Sequence, residues 1–274
     1  MDDFKVDYHI HTTYSDGQST PTQIIKKAKE LEYDVIAITD HDNMDGLDEA
    51  AIAAEAVEMN VVNGIEVAVE TEDGYGLHIL GYYFDKDNAE FKEWLKQLIR
   101  NREDRNELLI KTLRDMGYDI AIEELEMGKN SFIGKPIIAR KLVEKGYIKT
   151  EKEAFGEKIL GSSQCRAVRK RKPQASEAIA AIKAAGGTAV LAHPIQIKGI
   201  GVPGTEPFYT NVETLLRRLR KQGLRGLECY HPDQSKEQSS RFVEMADKYH
   251  LHITRGSDFH GADFAEADST ADYR

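Results

Sequence analysis

Seven short apolar segments recur along this 274-residue chain, and most of them run directly into a histidine or a carboxylate. They are Lys5–His9, Asp34–Thr39, Val61–Glu66, Leu77–Tyr82, Thr188–Ala192, Gly226–Tyr230 and His252–Gly256. Their lengths and apolar character predict strands. Helical patterns lie between them. Thr20-Pro21-Thr22-Gln23 offers a capping threonine, a proline suited to the first helical position and a glutamine that completes a capping box. Ile24, Ile25, Ala28 and Leu31 then give that helix an apolar face. Further helices are expected after His41, over Ser176–Ala185 before Gly186-Gly187, near Thr210–Lys221 and over Lys236–Tyr249. Strand–helix alternation of this kind implies an α/β fold with a parallel sheet, and seven units imply closure into a barrel.

One region breaks the rhythm. Between about Asn88 and Lys172 only helical periodicity is visible. Phe91, Leu95, Leu98 and Ile99, then Leu108, Leu109 and Leu113, predict a long helix that stops at Gly117, and Gly134–Lys145 reads as another. The expected organisation is a barrel formed by residues 1–87 and 173–274, with residues 88–172 as a helical insertion between the fourth and fifth strands.

Composition narrows the setting. No apolar run reaches the roughly 18 residues of a membrane span. Met1-Asp2-Asp3-Phe4-Lys5 has no signal-peptide core, and two cysteines, Cys165 and Cys229, cannot make a disulfide framework, so a cytoplasmic protein is expected. A formal net charge of −10 argues against a general nucleic-acid coat. Basic residues nevertheless cluster at Arg166, Arg169, Lys170, Arg171 and Lys172, which read equally well as a solvated loop.

The strand segments carry the chemistry. His9-Ile10-His11 places two imidazoles on one face of the first strand, and Asp16 follows in a Ser-Asp-Gly turn. His41 follows the second strand, Glu66 ends the third and His78 sits on the fourth. His193, His231 and the pair Asp258 and His260 follow the fifth, sixth and seventh. A lone histidine is more often structural than a ligand. Seven of the chain's nine histidines in these segments are another matter, because the C-terminal strand ends of a parallel barrel share one face. Mixed imidazole and carboxylate donors suit Mn²⁺, Zn²⁺ or Fe²⁺ better than Ca²⁺ or Mg²⁺. About nine donor groups exceed the needs of one ion, so two or three are implied, bridged by a carboxylate and suited to phosphoryl chemistry.

His9-x-His11-Thr12 with Ser15-Asp16-Gly17, Thr39-Asp40-His41, Ala192-His193-Pro194 and Ser257-Asp258-Phe259-His260 resemble the motifs of the PHP (polymerase and histidinol phosphatase) superfamily. The resemblance runs from residue 5 to about 261. It implies a distorted seven-stranded, TIM-like (β/α)7 barrel and a trinuclear, often manganese, centre. On matching positions His9, His11, Glu66 and Asp258 would hold one ion, Asp16, His41 and His260 a second, and Glu66, His78 and His193 a third. Glu66 and Asp258 thereby enter the catalytic set as ligands. The expected reaction is phosphate-ester hydrolysis by a hydroxide bridging the ions, and His231 is a candidate to contact phosphate or protonate the leaving oxygen, or simply a structural hydrogen bond.

Gly134-Lys135-Pro136, Ala139-Arg140-Lys141-Leu142-Val143 and Glu153-Ala154-Phe155 resemble the stand-alone members that act on nucleotides, among them 3′,5′-nucleoside bisphosphate phosphatases and a 5′–3′ exoribonuclease. That branch more often has Gly-Arg-Pro-His where this chain has Gly134-Lys135-Pro136-Ile137. Arg102, Arg105, Lys135 and Arg140 are the candidates to grip a second phosphate, each with a plain alternative as a surface charge. The expected partner is a small phosphorylated molecule, a nucleotide or short oligonucleotide, with no membrane and no obligate protein partner. The rivals are a histidinol-phosphate phosphatase with the same centre, a non-catalytic PHP module, and a metal-dependent amidohydrolase. The helical insertion counts against the first, the complete ligand set against the second, and the lack of a strand-end lysine against the third.

Overall fold

The structure, a computed structural model, describes residues 4–125 and 133–268. Residues 1–3 and 269–274 of the expected barrel, and 126–132 of the expected insertion, lie outside the described residues. In chain order the elements are β1 (Val6–Ile10), α1 (Pro21–Glu30), β2 (Val35–Ile38), α2 (Leu47–Ala56), β3 (Asn60–Glu70), β4 (Gly76–Tyr82) and α3 (Ala89–Asp115). There follow α4 (Lys135–Glu144), α5 (Glu151–Ala154), α6 (Ser163–Ala167), α7 (Ala175–Ala184), β5 (Thr188–Leu191), α8 (Glu206–Gln222), β6 (Gly226–Tyr230), α9 (Lys236–Tyr249), β7 (His252–Arg255) and α10 (Ala265–Asp268).

The strands form one seven-stranded sheet in the order β1 to β7. Its ends approach each other where Ile10 bridges Phe259, with His11 N donating to Phe259 O at 2.9 Å, so the barrel is nearly closed. Side chains alternate across the sheet. Ile36, Ile38, Ile65, Val67, Ile79 and Leu191 pack outward with the helices. Ala37, Val62, Leu80, Tyr82, Val190 and Ala192 form a separate apolar cluster on the inner face.

An all-parallel sheet is not what forms. β4 runs antiparallel to both β3 and β5. The cause is the length of the connection: β3 ends at Glu70 and β4 begins at Gly76. A parallel crossover needs a dozen or more residues, whereas a short link permits only a hairpin. β3 also continues past Glu66, so Glu66 lies inside the strand rather than at its end. The reversal matters for the site. His78, near the start of β4, is carried to the barrel end where the parallel strands finish.

Local signals behave as their chemistry demands. Thr20 Oγ1 accepts from Gln23 N at 3.2 Å and Gln23 Oε1 accepts from Thr20 N at 2.8 Å, closing the capping box of α1. α3 starts at Asn88, whose side chain accepts from Phe91 N at 2.9 Å, and gives way at Gly117 in the left-handed region, φ +94°. α8 begins earlier than expected because Thr205 caps it and Pro207 fits its first turn.

α3 serves two cores. Phe91, Leu95 and Leu98 in its first half pack with the barrel helices. Leu109, Ile110 and Leu113 in its second half join Ile138, Leu142, Ala154, Ile159 and Cys165 in a cluster of their own. Leu108, expected on the apolar face, is turned to solvent and about half exposed. No helix among the described residues is long and apolar enough to cross a membrane.

Truncating α3 at its two kinds of position separates these roles. Leu113→Ala, at a fully buried site, should lower unfolding stability by about 2–5 kcal/mol in urea denaturation. Leu108→Ala should shift it by no more than about 0.5 kcal/mol. Equal losses would mean that α3 lies in a different rotational setting.

Candidate metal centre

Glu66 is a carboxylate without solvent exposure, set among imidazoles delivered by four different parts of the barrel. Its Oε1 lies 2.9 Å from His78 Nδ1, 2.9 Å from His193 Nε2 and 3.2 Å from His9 Nε2. Its Oε2 lies 2.7 Å from His41 Nδ1 and 3.4 Å from His11 Nε2. Asp258 closes the far side, with Oδ1 3.4 Å from His9 Nε2 and 3.2 Å from His11 Nε2. Asp16 Oδ1 lies 3.3 Å from His260 Nε2 and 3.9 Å from His41 Nε2. All nine residues singled out as ligands in the sequence are therefore brought to one end of the barrel.

Their donor atoms fall into overlapping groups. His11, Asp16, His41 and His260 make one; His9, His11 and Asp258 another; His9, Glu66 and His193 a third; His41, Glu66 and His78 a fourth. Glu66 stands in two of these groups, as a bridging carboxylate must. Two donors bound at about 2.0–2.2 Å to one ion sit roughly 3–3.4 Å apart, which is the spacing most of these atoms keep. His9 Nε2, His11 Nε2, Asp16 Oδ1 and Glu66 Oε2 are buried without a hydrogen-bond partner. Buried polar atoms are rarely left so unless something else satisfies them. The donor set fits divalent ions.

The electrostatics carry the same message. Burial alone would raise the Glu66 carboxyl, but His78, His41 and His9 hold it well below the usual carboxylate range. Burial works against a proton on His11, yet Asp258 and Glu66 push that imidazole up to about 10. Burial pushes His78 down to about 4 against the pull of Glu66, so it is neutral and ready to donate a lone pair.

Backbone strain collects here. Among the described non-glycine residues with positive φ are Asp42 (+49°), His193 (+22°) and Asp258 (+52°). Such conformations cost on the order of 1–3 kcal/mol each and persist only where the surroundings impose them. Carboxylates that the sequence did not single out supply part of that constraint. Asp40 accepts from Thr12 N at 2.7 Å and from the Thr12 and Ser15 hydroxyls, shaping the turn that carries Asp16. Asp7 accepts from His9 N at 3.1 Å and Ser257 N at 3.0 Å, tying β1 to the loop that carries Asp258. Glu228 meets His9 and His193. Asp7 lies two residues before His9, Asp40 directly precedes His41, and Glu228 sits on the strand that leads into His231, which was the available signal.

His231 is nearly buried. Its Nδ1 accepts from Asp233 N at 3.1 Å, so in the neutral ring the proton is on Nε2, 3.5 Å from Asp258 Oδ2.

The four basic candidates divide. Arg102, on α3, reaches the buried Asp42 carboxylate, which also takes Lys170 Nζ. Arg105 is buried nearby, its Nε without a hydrogen-bond partner, and burial next to Arg102 pushes its guanidinium down to about 10. Lys135 is half-buried, with its ammonium lowered by burial and by Arg105. Arg140 instead donates to the main-chain carbonyl of Asp16 at 3.2 and 3.3 Å, so it braces the metal-site turn. In the basic run, Arg169 and Arg171 face solvent while Lys170 and Lys172 turn inward. That two-residue alternation belongs to extended chain and was invisible in composition.

Elemental analysis after Mn²⁺ loading should find more than one equivalent of metal per chain, and chelation should lower the melting temperature as well as abolish activity. One equivalent or none would exclude a multinuclear centre.

Comparison with known proteins agrees with this geometry. The model of the PHP domain matches residues 7–190. The chain is 31% identical over 256 residues to a 5′-3′ exoribonuclease of Haemophilus influenzae, covering 93% of this chain and 90% of the relative. It is 29% identical to a phosphoribosyl 1,2-cyclic phosphate 1,2-diphosphodiesterase of Eggerthella lenta, covering 93% and 94%. It is 30% identical to a 3′,5′-nucleoside bisphosphate phosphatase of Chromobacterium violaceum, covering 93% and 87%. A crystal structure described as a metal-dependent phosphoesterase from Bifidobacterium adolescentis superposes with a TM-score of 0.81 at 30% identity, covering 94% of this chain and 88% of that one. The chain belongs to the PHP-domain family and is a metal-dependent hydrolase of phosphate ester bonds.

Proposed function

We propose that this phosphoesterase acts on nucleotides, either nucleoside 3′,5′-bisphosphates or the 5′ ends of short RNA. The observation that supports this most is the excess of cations beside the metal centre. Arg102 and Lys170 pair with the buried Asp42 carboxylate, Arg105 and Lys172 lie within reach of its charge, and Lys135 neighbours Arg105 and Lys172, with Glu70 the one further carboxylate near Lys172. Buried cations without matching carboxylates favour an anionic ligand, and a second phosphate on the substrate supplies one. Relatives named for a nucleoside bisphosphate and for RNA point the same way.

In this reading His9, His11, Glu66 and Asp258 hold one ion, Asp16, His41 and His260 a second, and Glu66, His78 and His193 a third. Manganese suits this donor set, and zinc or iron would also be accepted by it. Bound ions supply an acidified water and positive charge at the phosphoryl oxygens. The chain's own residues do the rest. Glu66 and Asp258, held ionised by the imidazoles around them, would keep the ions in place as charge builds on the leaving oxygen. His231 directs its Nε2 proton toward the site and is placed to donate it to a leaving oxygen. Arg105, Lys135 and Lys172 grip the distal phosphate, while Asp42 keeps Arg102 and Lys170 in place. The helical segment between β4 and β5 is then the substrate lobe. A histidinol-phosphate phosphatase has no second phosphate for these cations to hold.

A phosphate-release screen with Mn²⁺ over nucleoside 3′,5′-bisphosphates, mononucleotides, short 5′-phosphorylated RNA and histidinol phosphate tests the assignment. Bisphosphates or RNA should show the highest kcat/KM, and preference for histidinol phosphate would overturn it. Lys135→Ala and Lys172→Ala should each raise KM for the preferred substrate by about 10- to 100-fold, the loss of one charged hydrogen bond. Hydrolysis of p-nitrophenyl phosphate should change by no more than about twofold, since neither lysine belongs to the groups of candidate metal donors. Arg140→Ala should reduce kcat on both, because it loosens the turn that carries Asp16.

A further inference from the structure

Glu228 on β6 is fully buried, yet it belongs to none of the groups of donor atoms that surround the candidate ions. A carboxylate in that position is costly unless each oxygen is matched by a donor. Both are matched, and both partners are residues of the centre. Oε1 lies 3.0 Å from His9 Nδ1, and Oε2 accepts the main-chain N–H of His193 at 2.6 Å. The other edge of the His9 ring faces the centre, with Nε2 3.2 Å from Glu66 Oε1 and 3.4 Å from Asp258 Oδ1. His193 has φ +22°, a conformation that a β-carbon disfavours and a fixed acceptor can impose. A third residue makes room for the arrangement. A Cβ at Gly256 would fall 2.1 Å from His9 Cβ and 2.6 Å from Glu228 Oε1, so the close approach of ring and carboxylate requires glycine there.

Resting on the metal-centre reading above, we propose that Glu228 is a positioning residue that acts through two ligands at once. By accepting the Nδ1 proton it holds His9 in the tautomer whose Nε2 lone pair faces the ions. By accepting the His193 amide it holds that backbone in the left-handed turn from which His193 reaches Glu66. Partners of this kind orient metal-binding imidazoles, and their loss typically weakens metal affinity about 10- to 100-fold.

The test combines Glu228→Gln and Glu228→Asp with two readouts. The first is long-range ¹⁵N–¹H NMR of the His9 ring in metal-free protein at a pH alkaline enough to leave the ring neutral, since, against the effect of burial, Glu228, Glu66 and Asp258 raise it; it reports the tautomer without any ion. The wild type should show the proton on Nδ1; a proton on Nε2 would overturn the proposal whether or not metals bind. The second is Mn²⁺ affinity by calorimetric titration, with far-UV circular dichroism as the control for folding. Glu228→Gln keeps the shape, but its amide can accept through one oxygen only. It should bind its tightest ion about 10- to 100-fold more weakly and show a mixed His9 tautomer. Glu228→Asp keeps the charge but is one methylene too short to meet both partners, and it should show the same two changes if Glu228→Gln does not fold. Wild-type affinity and an unchanged tautomer in a folded variant would refute the role. A wild-type protein that takes up no more than one ion would refute the multinuclear reading instead, and the tautomer would still decide for Glu228.

Discussion

A carboxylate with no access to water has to be surrounded by groups that can bear positive charge, and Glu66 makes that demand on the whole barrel. Five imidazoles answer it, and they arrive from β1, from the segments after β2 and β5, and from β4. One end of the barrel therefore cannot be filled with aliphatic side chains. The inner apolar cluster of Ala37, Val62, Leu80, Val190 and Ala192 fills the interior instead, and the polar end remains open for ions. The left-handed backbones at Asp42, His193 and Asp258 belong to the same arrangement, since ligand geometry there overrides local preference.

How far the chain disclosed itself depends on the kind of signal. Histidines two apart on a strand, or just beyond one, are legible because side-chain direction follows from backbone period alone. His9, His11, Asp16, His41, His193, Asp258 and His260 stood out that way or through the motifs they form, and Glu66 and His78 by their place on the third and fourth strand segments; the fold brings all nine together. The direction of β4 was not, because both a parallel and an antiparallel strand read as an apolar run; only the short link between Glu70 and Gly76 separates them. Leu108 was misplaced for a related reason. A leucine beside Leu109 counts toward the same apolar total, although the two cannot share a helix face. Glu228 and Asp40 escaped notice because a carboxylate that holds a ligand and one that binds metal look alike until distances are known.

The basic residues illustrate the same limit from the other side. Five positive charges in a short stretch look like a solvated loop, and three of them, Arg166, Arg169 and Arg171, do face solvent. Lys170 and Lys172 face inward only because the segment is extended where it returns to the barrel and pairs through Gln174 with Glu70. Asp42 then becomes a junction. Its main-chain N–H bonds the Glu66 carbonyl at 2.9 Å, its Oδ1 takes the Ala68 amide at 3.1 Å, and its Oδ2 takes Arg102 and Lys170. The cations beside the site and the backbone of Glu66 are thus held by one residue rather than by separate supports.

The double membership of α3 bears on how such an enzyme can diversify. At 27 residues the helix is about 40 Å long, its first turns covering the barrel and its last turns building the core of the lobe. The lobe is therefore no detachable cassette: excising it would strip Phe91, Leu95 and Leu98 from the barrel or leave half a helix without partners. Its far end is less constrained. Residues from Leu109 onward belong to the second cluster, so changes confined to it leave the barrel core unaltered. The helix thus works as a strut whose far end can be rebuilt while the strands that carry the candidate ion-binding residues keep their packing.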